Sequence, residues 1–278
     1  MNIAMFTGFG KNIPFEQEIA MIKKAGFDII ALDGNLSSPV SYASPEGLKI
    51  IQKAIRQSGL SVDSVHAPFP EGDRLFSINE NERMESFAKC RLAIKAASEL
   101  DGKIVVIHLI PYGIPEGGIR RQMIKQGLKS VSSLLEYSSA HNVKLALENG
   151  QKKDYDMVLA HFLAEFDTPS VGFCYDSGHE NVQGKCFDIL EKFGNRLLTT
   201  HLHDNLGQDT HMLPGEGSID WERFVKVIHG IDYHGNLLLE SSMAFSEYRE
   251  AEEFLSEARK RAGKLFALTN SPGAPKIK

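Results

Sequence analysis

The chain has 278 residues and a formal net charge of −5, with 42% hydrophobic and 24% charged residues. This composition is that of a globular protein with a large core; it argues against disorder and against a polyanionic partner such as DNA. Without a basic leader or eighteen successive apolar residues, and with three widely spaced cysteines, we expect a reduced cytoplasmic protein that is neither secreted nor bound to a membrane.

Short apolar runs alternate along the chain with longer stretches of helical period, which is typical of repeated βα units. The predicted strands cover residues 3–6, 29–32, 62–66, 104–108, 143–148, 171–176, 197–203 and 237–240. Several are apolar almost throughout, as expected of parallel strands that are covered on both faces.

The helix boundaries between these strands are also marked. Ser44 precedes a proline and an acid, which is the pattern of a helix start, and Gly59 ends the same helix. Further amphipathic helices are predicted over residues 81–100, 119–140, 155–165, 221–230 and 246–266.

No linker divides the chain, so the sequence favours an α/β fold of one (β/α)8 TIM barrel with a parallel eight-stranded core. We assign residues 1–269 to this domain and residues 270–278 to a flexible tail. A doubly wound sheet is the alternative, but the residues after Gly8-Phe9-Gly10 break the G-x-G-x-x-G fingerprint that would support it.

Barrel active sites form at the carboxyl ends of the strands. Six predicted strands end there in residue types that bind divalent metals: His66, His108, Glu148, Asp176, His201 with His203, and Glu240. One such residue is commonly an ordinary polar strand end, but six together predict a metal site. Carboxylates that face one another also require a cation or shared protons.

Two loops extend this set of potential ligands. Asp176 and His179 are three residues apart after the sixth strand, and Asp209 and His211 alternate in an extended segment. Each pair alone is a weak signal, because surface Asp and His residues are common in loops.

Three stretches carry a resemblance to a known family: LENG at 147–150, CYDSGHEN at 174–181, and HLHDN followed by DTHMLPGEGSIDW within 201–221. The chain to about residue 265 resembles the xylose isomerase-like barrels. That family includes sugar isomerases and epimerases, inosose-processing enzymes and apurinic-site nucleases of the endonuclease IV type.

The resemblance implies a shared metal held by Glu148, Asp176, His201 and Glu240. In nuclease-like members, further metals are held at the positions of His66, His108, His179, Asp209 and His211. Zinc or manganese is the expected ion, and cobalt or magnesium accepts overlapping sites.

The first functional hypothesis is a metal-dependent isomerase or epimerase of a sugar or sugar phosphate. Glu148 and Glu240 would exchange a proton with the carbon next to a metal-bound carbonyl. The expected substrate contacts are His66, His108, His179 and His203. The oligomeric state is not indicated by the sequence.

Two other functions stay open. A nuclease of the endonuclease IV type would use several zinc ions, with Glu148 bridging them, but the acidic net charge disfavours a phosphodiester substrate. A barrel that binds a ligand without turning it over is the third hypothesis. Finally, Gly215-Glu216-Gly217 could approach a substrate phosphate, although a turn before a helix capped by Asp220 is the simpler interpretation.

Overall fold

The computed structural model describes residues 1–109 and 115–269, and these form a (β/α)8 barrel. Its strands are β1 (Ile3–Phe6), β2 (Ile29–Leu32), β3 (Ser61–His66), β4 (Ile104–His108), β5 (Lys144–Glu148), β6 (Val171–Asp176), β7 (Leu197–His201) and β8 (Leu237–Leu239). All paired strands are parallel and follow the order β7-β6-β5-β4-β3-β2-β1-β8. The predicted fold class is confirmed.

Leu202, just beyond β7, closes the gap between the two ends of the sheet. It forms a parallel bridge with Leu239, donates its N–H to the Leu238 carbonyl at 2.8 Å and accepts from Glu240 N at 3.1 Å. The first and last strands along the sheet therefore share backbone bonds, and no open edge is left there.

Helices surround the barrel, and at least one of them is capped at both ends. They are α1 (Phe15–Lys24), α2 (Pro45–Ser58), α3 (Glu80–Glu99), α4 (Gly118–Ala140), α5 (Lys153–Glu165), α6 (Ser177–Val182), α7 (Asp188–Phe193), α8 (Trp221–Gly230) and α9 (Ala251–Thr269). The Ser44 hydroxyl accepts from Gly47 N at 3.0 Å before α2, and Gly59 ends it at a φ of 68°. These ends agree with the sequence prediction.

The barrel interior is filled by small layers whose side chains alternate along the strands. Val106, Ala146 and Cys174 form one buried cluster, and Ala4, Ala31 and Leu238 form another. Two residues further along each strand, the side chain faces the same interior. Those next positions hold His108, Glu148, Asp176, Phe6, Asp33 and Glu240, so the strand period places a polar layer at the mouth.

Several predicted ends differ from the structure by one to five residues, and two of the differences have a clear cause. Strand β7 stops at His201 rather than at residue 203, because Leu202 turns toward β8 and Asp204 pairs in an antiparallel bridge with Met212. Helix α9 starts at Ala251 rather than at residue 246, because the Ser246 hydroxyl donates to Glu216, in the loop after β7, at 2.8 Å.

Residues 270–278, predicted as a tail, lie outside the described part of the chain, as do residues 110–114. Within the part described, no helix is both long and apolar enough to cross a membrane. The cysteines are unpaired: Cys90 and Cys174 are buried, and Cys186 is half-buried.

Candidate active site

A cavity of about 640 Å³ opens at the carboxyl ends of the strands. Glu148 and Glu240 reach it from β5 and from the end of β8, and apolar side chains line part of its wall. The apolar lining is Phe6, Phe9, Phe69 and Leu109. This combination of an apolar wall with convergent polar groups is typical of a small-molecule site.

Four of the predicted ligands meet at the floor of the cavity. Potential ligand atoms of Glu148, Asp176, His201 and Glu240 all lie within 4.8 Å of one another. His201 Nδ1 is 3.1 Å from Glu148 Oε1 and 3.0 Å from Glu240 Oε2. The side chains of Asp176 and His201 are fully buried beneath the cavity wall.

Strong electrostatic coupling joins these groups. Burial would raise the pKa of both glutamates, but the neighbouring His201 outweighs it, and the pKa of Glu240 falls to about 2. The pKa of Glu148 lies well below its usual value for the same reasons, with His108 contributing. Burial would lower the pKa of His201, yet Cys174, Glu240 and Glu148 raise it well above the ordinary value.

This group fits a divalent cation by its donor chemistry. Three carboxylates and one imidazole are the oxygen and nitrogen donors that zinc, manganese, cobalt and magnesium accept. Carboxylates this close repel one another unless positive charge lies between them. The residues therefore suit a metal ion. When no ion is bound, protonated His201 supplies the positive charge between the carboxylates.

A second group of potential ligands shares Glu148. His66 Nε2 is 3.3 Å and His108 Nε2 is 3.1 Å from Glu148 Oε2. The other ring nitrogen of His108 lies 3.3 Å from Asp73 Oδ1, in the loop after β3. Burial would lower the pKa of His108, but Glu148 and Asp73 raise it to about 10.

A third group lies in the loop after β7 and contains His203, Asp209 and His211. His211 Nε2 is 3.3 Å from Asp209 Oδ1, and the rings of His203 and His211 stack 3.9 Å apart. Gln151 from the loop after β5 donates to Asp209 Oδ2 at 2.7 Å. Burial would raise the pKa of Asp209, but His179 and His211 lower it.

His179 connects the central and third groups. It stands on α6, where its ring Nδ1 lies 2.9 Å from the Asn149 carbonyl, so that Nε2 faces Asp209 Oδ2 at 3.6 Å. The side chain lines the cavity, as a substrate or metal contact requires. Burial would lower its pKa, but Asp176 and Asp209 raise it well above the ordinary value.

His203, predicted as a substrate contact, lies beneath the cavity rather than at its wall. Its side chain is fully buried, does not line the cavity and points Nε2 at Asp176 Oδ2, 3.1 Å away. Gly178 makes this packing possible, because a Cβ there would lie 1.9 Å from His203 Cε1. From this position, His203 can hold the Asp176 carboxylate in place.

Several site residues were missed by the sequence analysis. Asp33 lines the cavity just beyond β2, and the strand-end rule that found the other acids applies to it equally. Gln151 and Lys152 line the cavity and Asp73 lies behind His108, but all three are loop residues. No local pattern distinguishes such residues from ordinary surface polar groups.

The loop that contains Gly215 and Gly217 is a turn built around Asp204. This buried carboxylate accepts from Gly215 N at 2.8 Å, Ile219 N at 3.1 Å and Trp221 Nε1 at 2.8 Å. A Cβ at Gly217 would lie 2.3 Å from Asp204 Oδ1, so the glycine is required for this close approach. The Asp220 carboxylate then caps α8 through Arg223 N.

Comparison with known proteins places this geometry in a family. The chain is 25% identical over 253 residues to the fructoselysine 3-epimerase of Shigella flexneri, covering 84% of this chain and 88% of that protein. It is 22% identical over 264 residues to the inosose dehydratase of Clostridium perfringens, covering 84% of each. A crystal structure of a D-tagatose 3-epimerase-like protein superposes with a TM-score of 0.81 at 23% identity, over 97% of this chain and 98% of that one, and shows the shared fold. Residues 19–258 match the family described as xylose isomerase-like TIM barrel, and the chain belongs to that family.

Proposed function

We propose that the chain is a divalent-metal-dependent epimerase or isomerase of a small sugar. The observation that carries this proposal is the pair of carboxylates at the cavity floor: Glu148 and Glu240 both lie within about 3 Å of His201 Nδ1 and both line the cavity. The relatives are by name a fructoselysine 3-epimerase and an inosose dehydratase, and they support chemistry at a carbon of a hydroxylated small molecule.

Glu148, Asp176, His201 and Glu240 would hold the ion, for which zinc and manganese are our first candidates. A divalent cation in this place polarises a carbonyl and its neighbouring hydroxyl and stabilises the negative charge that proton removal creates there. Asp176 is kept in place by the backbone N–H of His179 at 2.6 Å and by the ring of His203.

The two glutamates perform the proton transfer. One ionised glutamate would take the proton from a carbon between them. The other, after gaining a proton from solvent, would donate it to the opposite face of that carbon, which inverts the configuration. The nearby His201 outweighs the effect of burial and holds the pKa of Glu240 below its ordinary value, so this side chain is ionised at neutral pH, the form in which a carboxylate acts as a base. His66, His108 and His179 line the cavity and would orient the substrate hydroxyls.

Solvent deuterium exchange tests the proposal directly. The protein is loaded with Mn²⁺ or Zn²⁺ and incubated in D₂O with a panel of ketopentoses and ketohexoses, free and as terminal phosphate esters. We expect deuterium next to the carbonyl of at least one sugar, and a loss of about 100-fold or more in Glu240→Gln. The control is Glu247→Gln, an exposed acid in the loop after β8.

Two outcomes would contradict this assignment. Undiminished exchange in metal-loaded Glu240→Gln would remove Glu240 from proton transfer. A wild-type protein that binds metal but exchanges no sugar of the panel would instead favour a barrel that binds its ligand without turnover.

A nuclease is the second candidate, and one observation favours it. All three groups of potential ligands expected of a multi-zinc site are brought together, with Glu148 shared between two of them. Against it, the described lining of the cavity contains Lys152 and no arginine, whereas a phosphodiester backbone is usually held by several cations. Incision of a duplex with one apurinic site by zinc-loaded protein would decide in favour of the nuclease.

The state of the cysteines bears on the cellular compartment in which the protein acts. Unpaired Cys90, Cys174 and Cys186 suit a reducing environment, and we propose that the protein acts in the cytoplasm.

A further inference from the structure

The mouth of the barrel is divided into two chemically different halves. The four candidate ligands at the floor come from β5, β6, β7 and the end of β8. Because the strands follow one another around the barrel, β2 lies across the mouth from β6. A sugar held at these ligands therefore extends its remaining carbons toward the wall formed by β1 to β3.

Asp33 is the acidic residue of that opposite wall. Its Oδ1 accepts from Asn35 N at 2.9 Å, while Oδ2 accepts no hydrogen bond from the described residues. The adjacent Gly8 leaves room for this oxygen, because a Cβ there would lie 2.4 Å from Asp33 Oδ2. The Gly8 N–H is donated to Glu18 instead, so one acceptor oxygen of Asp33 stays available at the cavity wall.

The described part of the same wall has no lysine or arginine. Of the described residues that line the cavity, Lys152 is the sole lysine or arginine, and it follows β5 on the metal side. A phosphate monoester carries nearly two negative charges at neutral pH. Beside Asp33 it would meet a like charge, with no lysine or arginine of the described wall to offset it.

The loops after strands seven and eight are where barrels commonly bind phosphate. Here three donors that follow β7, Gly215 N, Ile219 N and Trp221 Nε1, bind the buried Asp204 carboxylate. These three donors are therefore not available to a substrate phosphate.

From these observations we infer that the substrate is an unphosphorylated sugar whose end remote from the metal ligands donates a hydrogen bond to Asp33. The inference rests on the proposed function and names the class of its substrate. The donor is a hydroxyl or an ammonium group, since both give a hydrogen bond to a carboxylate. Asp33 acts here as a specificity-determining residue.

The experiment compares matched substrates under saturating Mn²⁺ in the deuterium exchange assay. Each ketose of the panel is supplied free, as its terminal phosphate ester and, for fructose, as 6-amino-6-deoxyfructose. The variants are Asp33→Asn and Asp33→Lys, and the control is Asp28→Asn, an exposed acid that precedes the same strand and pairs with Lys23.

We expect the wild-type protein to favour a free sugar over its phosphate ester by at least about tenfold in kcat/KM. Asp33→Asn keeps an acceptor oxygen but loses the charge that strengthens the hydrogen bond. It should raise KM for that sugar by up to about tenfold with kcat nearly unchanged, because the weakened contact is made equally in ground and transition states. Asp33→Lys should move the preference toward the phosphate ester, while Asp28→Asn changes neither. The ranking of the amino sugar against the free sugar identifies the donor as ammonium or hydroxyl.

A wild-type preference for the phosphate ester would overturn this inference and leave the epimerase proposal intact. An unchanged KM in both Asp33 variants, with folding verified by circular dichroism and metal content equal to wild type, would also overturn it. Exchange into none of the sugars, free or phosphorylated, would instead remove the proposed function and the inference with it.

Discussion

Replacing Asp204 by alanine removes the acceptor around which the loop after β7 is folded. The carboxylate is fully buried and binds Gly215 N, Ile219 N and Trp221 Nε1, together with the adjacent Asn205 N at 2.9 Å. The first three of these donors lie 11 to 17 residues after Asp204, so no single replacement side chain nearby can serve them all.

The magnitude follows from these contacts. A buried donor left without a partner costs about 1–3 kcal/mol, and the three donors beyond the neighbouring residue together predict a loss of about 3–9 kcal/mol in the free energy of unfolding. The alanine variant no longer has the cost of burying the Asp204 charge, so the expected loss lies in the lower half of that range. Asp204→Asn keeps one acceptor oxygen, so about half of the loss is expected.

Urea unfolding in the presence of EDTA measures this loss without any contribution from bound metal. Trp221 is the only tryptophan of the chain and donates to Asp204, so its fluorescence reports on the same contact. The matched control is Asp220→Asn, an exposed helix cap where asparagine serves equally well. If Asp204→Ala unfolds within about 0.5 kcal/mol of that control, the carboxylate does not organise the loop.

Three further predictions concern pH, metal binding and metal-dependent stability. Burial raises the pKa of Glu18 to about 7 from 4.5, so the folded state holds this proton more tightly than the unfolded chain. Its stabilising contribution is present below pH 4.5 and is lost as the pH rises through about 7. In urea titrations at a series of pH values, Glu18→Gln should abolish this fall in the free energy of unfolding, whereas exposed Glu16→Gln should keep it. Gly178→Ala places a Cβ 1.9 Å from the His203 ring and should weaken metal affinity by about 10–100-fold in calorimetric titration, whereas Gly118→Ala, with its nearest neighbour atom at 3.9 Å, should not. Adding Mn²⁺ or Zn²⁺ at 100 times its Kd should stabilise the protein by about 2.7 kcal/mol, seen as a rise in Tm that EDTA reverses; a Tm that neither ion changes would contradict the metal proposal.

The polar layer at the barrel mouth could be predicted from the sequence because strand geometry is local. Side chains alternate with a period of two, so a residue two positions beyond a buried interior residue faces the same interior. Glu148 follows Ala146 and Asp176 follows Cys174 in this way. The ends of α2, at Ser44 and Gly59, were predictable for the same reason, since caps involve neighbouring residues.

The supporting contacts depended on loop paths and could not be predicted in this way. Asp73 meets His108 from 35 positions earlier, and Gln151 meets Asp209 across 58 positions. Which loop residues come together is decided by packing between distant segments, and a surface acid or amide carries no mark of that in its local pattern.

His203 shows the boundary between the two kinds of information. Its place at the end of the predicted strand 197–203 indicated a side chain in the substrate pocket. The strand ends at His201 instead, because Leu202 pairs with Leu239 and closes the barrel. The sequence by itself determined the barrel and the residue types at its mouth, through periodicities that act over a few residues. Only the tertiary structure decided which of those side chains face the cavity and which lie beneath it, because that depends on backbone pairing between segments far apart in the chain.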